Sequence, residues 1–299
     1  MKKWYCIMLM GLCLLLSSCT LSDSPGNSLP GDANNSVGDV EDNQETGQPI
    51  NQVTVDEQVV LDQDGIRITV KSLSIDDLWG PCLKVLVENS SNRSVTVQVR
   101  DLSINGAMVE SIFSCDVAAG KKANDEIVFM SSDLEAAGIE IIKEIELKFH
   151  VFDSESWDTI FDSEPIRIVT SADASFDQSF EDSGFVALDQ HGFKIVIKRL
   201  SSEDSLWGAD VHVYIENNSN TDATIQIRDM SVNGFMVDPI FSVDVLAGKK
   251  AFDTITFLES DLLDNDIDSI EQLEFYFHVF DKDSWDTLFD SEIITVYFE

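Results

Sequence analysis

Two short acidic segments are the better candidates for ligand chemistry in this chain. Asp153, Glu155 and Asp158 fall in one turn, and Asp281, Asp283 and Asp286 fall in its counterpart further along. Hard carboxylate oxygens so spaced suit Ca²⁺, which takes about six to eight oxygen ligands. A turn also collects Asp and Ser for backbone reasons, so a plain solvated turn stands beside the calcium reading. Trp157 and Trp285 sit on the same two turns. An exposed indole stacks on a sugar or grips a partner protein, whereas a buried one fills a core, the commoner use in a β-sandwich. Asp264-Asn265-Asp266-Ile267-Asp268 resembles the start of a calcium loop but has Ser269 and Phe275 where an EF-hand needs Gly and Glu.

Histidine is the other place to look for chemistry. His150 and His278 are equivalent, each inside a Phe-His-Val-Phe-Asp run. Strand alternation puts Leu147, Phe149 and Val151 on the buried face and His150 on the opposite one, the position of a solvated or partly covered histidine. His191 is matched by Asp64 and His212 by Lys84, so neither belongs to a shared site. No HExxH, GxSxG, phosphate-binding loop or GxGxxG occurs. The expectation is therefore a non-enzymatic protein with no catalytic residues and no cofactor beyond the calcium option. An envelope hydrolase or inhibitor with an unrecognised site is the alternative.

One residue has its chemistry set by its neighbours. Lys2 and Lys3 precede an apolar run from Trp4 to Leu16, and Leu16-Ser17-Ser18-Cys19 closes it. The run is short for a bilayer-spanning helix, which needs about 20 residues, but suits a cleavable export signal. A cysteine directly after the small residues is the pattern of a lipobox, in which the Cys19 thiol takes up a diacylglyceryl group. Two acyl chains, at about 0.8 kcal/mol per buried CH₂, hold a folded domain at a membrane. The expected location is the extracytoplasmic face of a cell membrane. Cys6 and Cys13 lie in the leader, which leaves Cys82 and Cys115 in the folded region. An exported pair can close a disulfide, and nothing in the spacing decides whether this one does.

Charge narrows the partners. With 19 Lys and Arg against 55 Asp and Glu, the net charge is −36. Such a surface repels nucleic acid and anionic lipid headgroups, so contact with the membrane should run through the lipid alone. An envelope protein or a glycan remains as partner. Solubility is the plainer meaning of the acid.

The elements that carry these residues come in two copies. QVRDLSING from Gln98 returns as QIRDMSVNG from Gln226; AGKKA recurs from Ala119 and Ala247; Trp157-Asp158-Thr159 recurs as Trp285-Asp286-Thr287, each followed by Phe-Asp-Ser-Glu. The plan is a signal peptide over residues 1–18, the lipidated cysteine and a tether over 19–53, a first domain over 54–170, a linker over 171–184 and a second domain over 185–299. A tether of that length spans about 30 Å as a coil. Ile66, Ile68 and Val70 alternate with polar residues, as do Val95, Val97 and Val99. That period of two marks half-buried antiparallel strands. Asn105-Gly106 and Asn233-Gly234 supply type I′ hairpin turns. Ser132-Asp133-Leu134 and Ser260-Asp261-Leu262 can cap a turn or two of helix. The fold class expected is all-β, two tandem immunoglobulin-like antiparallel sandwiches, each with at most a short helical turn. Lys121-Lys122 and Lys249-Lys250 read as solvated turns, or as a basic spot that docks the neighbouring acidic domain.

Taken together, Trp-Gly, a strand ending Glu-Asn, VRDxSxNGxMV, AGKKA and FHVFDxxxWDT resemble a group of uncharacterised lipoproteins from Gram-positive, clostridia-like bacteria. The resemblance implies immunoglobulin-like domains and a surface location, and brings no catalytic residue with it.

Overall fold

The computed structural model describes residues 53–76, 80–201 and 207–298. Cys19, the leader, the tether and Trp79 lie outside them. The first repeat runs β1 (Gln58–Gln63), β2 (Ile66–Asp76), β3 (Gly80–Asn89), β4 (Val95–Ile104), β5 (Ala107–Met108), β6 (Ser111–Ile112), β7 (Ser114–Val117), β8 (Lys122–Phe129), α1 (Ser131–Ala136), β9 (Glu144–Asp153), β10 (Thr159–Asp162) and β11 (Ile166–Val169). The second runs β12 (Phe185–Gln190), β13 (Phe193–Ser201), β14 (Gly208–Asn217), β15 (Ala223–Val232), β16 (Phe235–Met236), β17 (Ser242–Val245), β18 (Lys250–Leu258), α2 (Glu259–Asp264), β19 (Gln272–Asp281), β20 (Thr287–Asp290) and β21 (Ile294–Tyr297).

In the first repeat one sheet has the order β1-β2-β3-β8-β6, and the facing one has β10-β9-β4, with β7 on β4 and β11 on β9. The second repeat follows the same plan, with β12-β13-β14-β18 against β20-β19-β15. The pairs β3–β8 and β4–β9–β10 match B–E and C–F–G of an immunoglobulin-like sandwich. The fold is all-β and antiparallel, as the alternation predicts. Two separate cores fill the repeats: Ile68, Val85, Val97, Ile127, Phe149 and Val151 are buried in one, and Ile195, Val213, Ile225, Ile255, Phe277 and Val279 in the other. Among the described residues no helix is long and apolar enough to cross a membrane.

Several repeated motifs have structural work. Asn89 and Asn217, at the ends of β3 and β14, are buried, and each donates from Nδ2 to two backbone carbonyls at 2.8 Å. That satisfies the amide where the chain crosses to the other sheet, and accounts for the Glu-Asn strand ending. Asn105 and Gly106 have φ of 52° and 88°, the type I′ geometry expected. The helices form, but their first residues follow Met130 and Leu258, neither of which makes a side-chain cap. Ser132 and Ser260 lie within the helices rather than capping them.

The residues between the repeats are docked rather than extended. Lys143 Nζ donates to the carbonyls of Ala174 and Phe176, and Phe176 and Phe180 pack against the first core. Ala107 of β5 bridges Lys250 of β18 in parallel, so the described residues of both sandwiches share one continuous sheet within one compact unit. Lys249 pairs with Glu146 across the same boundary, and Lys250 lies 5.4 Å from the centre of the Phe180 ring. Of the two readings of the Lys-Lys pairs, docking describes the second copy. In the first, Lys122 pairs with Glu88 of its own repeat.

Candidate functional site

Each sandwich carries the same aromatic and acidic constellation at the hairpin between its β9–β10 or β19–β20 strands. In the first copy Asp153 Oδ1 accepts the backbone N–H of Glu155 at 2.9 Å and of Ser156 at 3.1 Å. In the second, Asp281 Oδ1 accepts from Asp283 at 3.0 Å and Ser284 at 2.8 Å. The N–H bonds from Ser156 and then Glu155 hold the Asp153 carboxyl below the usual carboxylate range, and those from Ser284 and Asp283 do the same for Asp281. The loop is closed by Trp157 N–H on the Asp153 carbonyl at 2.9 Å and Asp153 N–H on the Asp158 carbonyl at 3.0 Å.

The residues of the calcium expectation take part in this closure. Asp153 and Asp281 turn back onto their own loops as Asx caps, and Asp158 accepts the Ser156 hydroxyl at 2.9 Å. Among the described residues no group of three or more His, Cys, Asp or Glu side chains is disposed to hold a metal ion. Asp153, Glu155 and Asp158, and likewise Asp281, Asp283 and Asp286, share a turn without converging on a point.

The tryptophans are the unusual members. Trp157 and Trp285 are each 74% exposed, contrary to the core-filling role that is commoner in sandwiches. Each has positive φ, 65° and 64°, in the left-handed region that costs a bulky L-residue about 1–2 kcal/mol. Phe152 backs the Trp157 ring with centroids 5.5 Å apart and planes 19° apart; Phe280 and Trp285 repeat this at 5.5 Å and 20°. With one face seated on a buried phenylalanine, the indole presents its other face to solvent.

Behind the phenylalanines stand the histidines. His150 lies 5.4 Å from the Phe152 ring, and its Nδ1 is 2.6 Å from Asp162 Oδ1 on β10. His278, Phe280 and Asp290 repeat the row at 5.3 Å and 2.6 Å. His150 faces away from the core, as alternation requires, but is buried under its neighbours. Its carboxylate partner was missed in the sequence, although the repeated Phe-Asp-Ser-Glu contains it. Antiparallel β9–β10 register sets Asp162 opposite His150. The next residue, Ser163, accepts the Phe149 N–H at 2.9 Å and so pins that register. In both copies the hydrogen-bond partner of the histidine is thus the carboxylate across the hairpin.

The sequence leaves the pairing of the two cysteines in the folded region open. Cys82 and Cys115 are both free and both buried. Cys115 belongs to the first core, while Cys82 sits beside Leu83 on the opposite face of β3, 3.2 Å from Ser74 Oγ. A sheet stands between the two thiols. Burial pushes the Cys115 thiol up to about 12, with Asp125 and Asp116 adding to the rise, and burial raises Cys82 too.

No family model matches this chain, and no curated protein sequence matches it. Among solved structures, the Salmonella enterica SafA pilin in complex with the SafB chaperone aligns at 12% identity, over 73% of this chain and 89% of that one, with a TM-score of 0.19. Red sea bream transglutaminase aligns at 9% identity over 75% of this chain and 30% of its own, with a TM-score of 0.18. At such scores neither alignment bears on function, and the fold assignment rests on the strand order.

Proposed function

We propose that this chain is a non-enzymatic, lipid-anchored protein of the cell envelope, whose two sandwiches hold an envelope glycan through Trp157 and Trp285. The observation that carries the reading is the paired exposure of those indoles at a backbone conformation that costs energy. Strain of this kind persists where the surrounding structure imposes it, and it clusters at binding sites. A rigid, half-backed aromatic face flanked by carboxylates suits the alternating C–H and O–H faces of a sugar ring. Two such faces in one compact unit add avidity on a repeating polymer. The high negative charge favours a neutral or cationic glycan over an anionic one. Cys19, with its leader, supplies the anchor in this reading and the acidic turns flank the site.

The test is co-sedimentation of the full chain with insoluble cell-wall polysaccharide, comparing wild type with Trp157→Ala, Trp285→Ala and the double variant. Each single variant should bind about tenfold more weakly and the double variant should stay in the supernatant. Equal retention of wild type and double variant would end the glycan reading. The anchor has a separate test: Cys19→Ser should abolish incorporation of labelled fatty acid and release the protein from the membrane fraction.

A further inference from the structure

The two sandwiches differ at one end, and the difference points to a second binding site. In the first repeat the chain enters through Val53-Thr54-Val55. Both valines are buried in the same cluster as Leu73, Leu134, Ile139 and Ile142. Thr54 is fixed to Ser171, two residues past the end of β11: its N–H donates to Ser171 Oγ at 2.9 Å, and its carbonyl accepts the Ser171 N–H at 2.8 Å. An extended segment with apolar side chains two residues apart thus plugs the end of the first sandwich.

In the second repeat the equivalent residues are Phe180 and Asp182, and they are drawn elsewhere. Phe180 packs on the first core and on Phe252, 5.9 Å between centroids, and Asp182 pairs with Lys194 at 2.6 Å. Among the described residues no extended segment enters this end; Phe298, which stands where the first repeat has Thr170, packs on the second core and lines one side of the space. What remains is a groove of about 940 Å³ floored by Leu200, Leu262, Ile267 and Ile270, with Leu263 and Tyr297 at its mouth, 63% and 72% exposed. Its rim is acidic, from Glu259, Asp268 and Glu271, and Glu271 stands where the first repeat has Lys143.

We infer that this groove binds an extended peptide segment of a partner protein, with two apolar side chains spaced by one residue and basic residues flanking them. The first repeat shows what this end of the fold accepts, the second lacks it, and the rim supplies complementary charge. Such a segment would lie beside the outer edge of β21 as an added strand, where backbone bonds give affinity and alternate side chains give selectivity. This site is independent of the tryptophan faces and stands whether or not they bind glycan.

The probe is a fluorescein-labelled synthetic peptide carrying the Val-Thr-Val sequence between lysines, titrated with the full chain and followed by anisotropy. Saturable binding is expected, weakened at least tenfold by Leu263→Glu and roughly threefold to tenfold by Glu271→Lys. A control peptide with serines for both valines should not bind. Both substituted side chains are exposed, and an unchanged melting temperature confirms that each variant is folded. Absence of saturable binding at millimolar peptide, or binding equally tight to Leu263→Glu, overturns the inference. So does sedimentation showing a dimer that Leu263→Glu abolishes, because the groove would then belong to a second copy of this chain.

Discussion

Lys282 of the second sandwich donates to Oδ1 of Asp101 in the first at 2.9 Å, and Lys148 of the first donates to Oδ2 at 2.9 Å. The carboxylate is 10% exposed and held between two cations that come from different repeats. Its counterpart, Asp229, is exposed, and Tyr276 and Ser154 replace the lysines at the equivalent positions. The contact therefore belongs to the junction and not to the repeat. Together with the Lys249–Glu146 pair and the Ala107–Lys250 bridge, it fixes one sandwich against the other.

Asp101→Asn should consequently loosen the junction more than the domains. Burial alone would raise the Asp101 carboxyl, but the hydrogen bonds from Lys282 and Lys148 outweigh it and leave it below the usual range. A depressed carboxyl contributes stability that is present above its unfolded pKa of about 3.9 and is lost as pH falls through the folded value. Asn tolerates the positive φ of 55° at this position but removes the carboxylate shared by two partly buried ammonium groups, leaving Lys282 only the longer pair with Asp283 at 3.9 Å. The expected cost near neutral pH is about 2 kcal/mol, fading as pH falls below the ordinary carboxylate range. Urea unfolding of both proteins at several pH values measures it. A cost that does not diminish in acid would show that the ion pairs are not its source.

The same residue shows where sequence reading stops. Period-two alternation correctly places Val95 and Val97 in the core and extends the pattern to Val99, which is only partly buried. The register then shifts between Arg100 and Ser103, so that Leu102 and Ile104 become the inward residues. A bulge of this kind re-aims a side chain, and here it aims Asp101 at the junction. Alternation does not reveal it, because a one-residue insertion looks like an ordinary polar residue between strands. The duplication, the hairpins at Asn105 and Asn233 and the outward-facing histidines were all legible, since local spacing determines them. The stacking of Trp157 on Phe152, the separation of Cys82 from Cys115 and the pull of Phe180 toward the wrong sandwich depend on long-range register. No local pattern encodes them.

Replacing the strained tryptophans with glycine should separate stability from binding. Trp157→Gly removes about 1–2 kcal/mol of left-handed backbone cost. It also forfeits the stack on Phe152, worth about 0.5–1.5 kcal/mol beyond burial. The terms oppose each other, so the melting temperature should move by less than about 3 °C. Trp157→Ala keeps the backbone cost, loses the stack and should melt lower than the glycine variant. Differential scanning calorimetry on the two variants decides it; alanine melting at or above glycine would mean the positive φ carries no strain.

Thiol chemistry offers a direct check on the two-faced arrangement of the cysteines. With Cys115 raised to about 12 and Cys82 also raised, little thiolate exists at pH 8, and both sulfurs are buried. Iodoacetamide should leave Cys82 and Cys115 unmodified in the folded protein and alkylate both in denaturant, as read by peptide mass mapping. Addition of dithiothreitol should leave the melting temperature unchanged. A linked Cys82–Cys115 peptide after aerobic purification would contradict the geometry.

The junction also contains a carboxyl set the opposite way from Asp101. Burial holds Asp253 up at about 6, with Asp133 on α1 and Glu110 adding to the rise against the N–H of Thr254, which donates at 2.6 Å. Glu110 is raised as well, by burial first and then by Asp133 and Asp244. Lys198, Arg199 and His212 line the same cleft of about 550 Å³. A carboxyl whose folded pKa lies above its unfolded one favours the native state while protonated. Its contribution is complete below about pH 4 and is lost as pH rises through about 6. Asp253→Asn keeps the acceptor for Thr254 and removes the charge, so it should stabilise the protein by about 1–3 kcal/mol at pH 7 and by almost nothing at pH 4. Because Asp253 and Asp133 come from different repeats, the wild type should show its junction tightening as pH drops from 7 to 5. Hydrogen exchange at the β18 amides would register that as slower exchange after correction for the intrinsic rate. A gain for Asp253→Asn that is equal at both pH values would place its origin in packing rather than in charge.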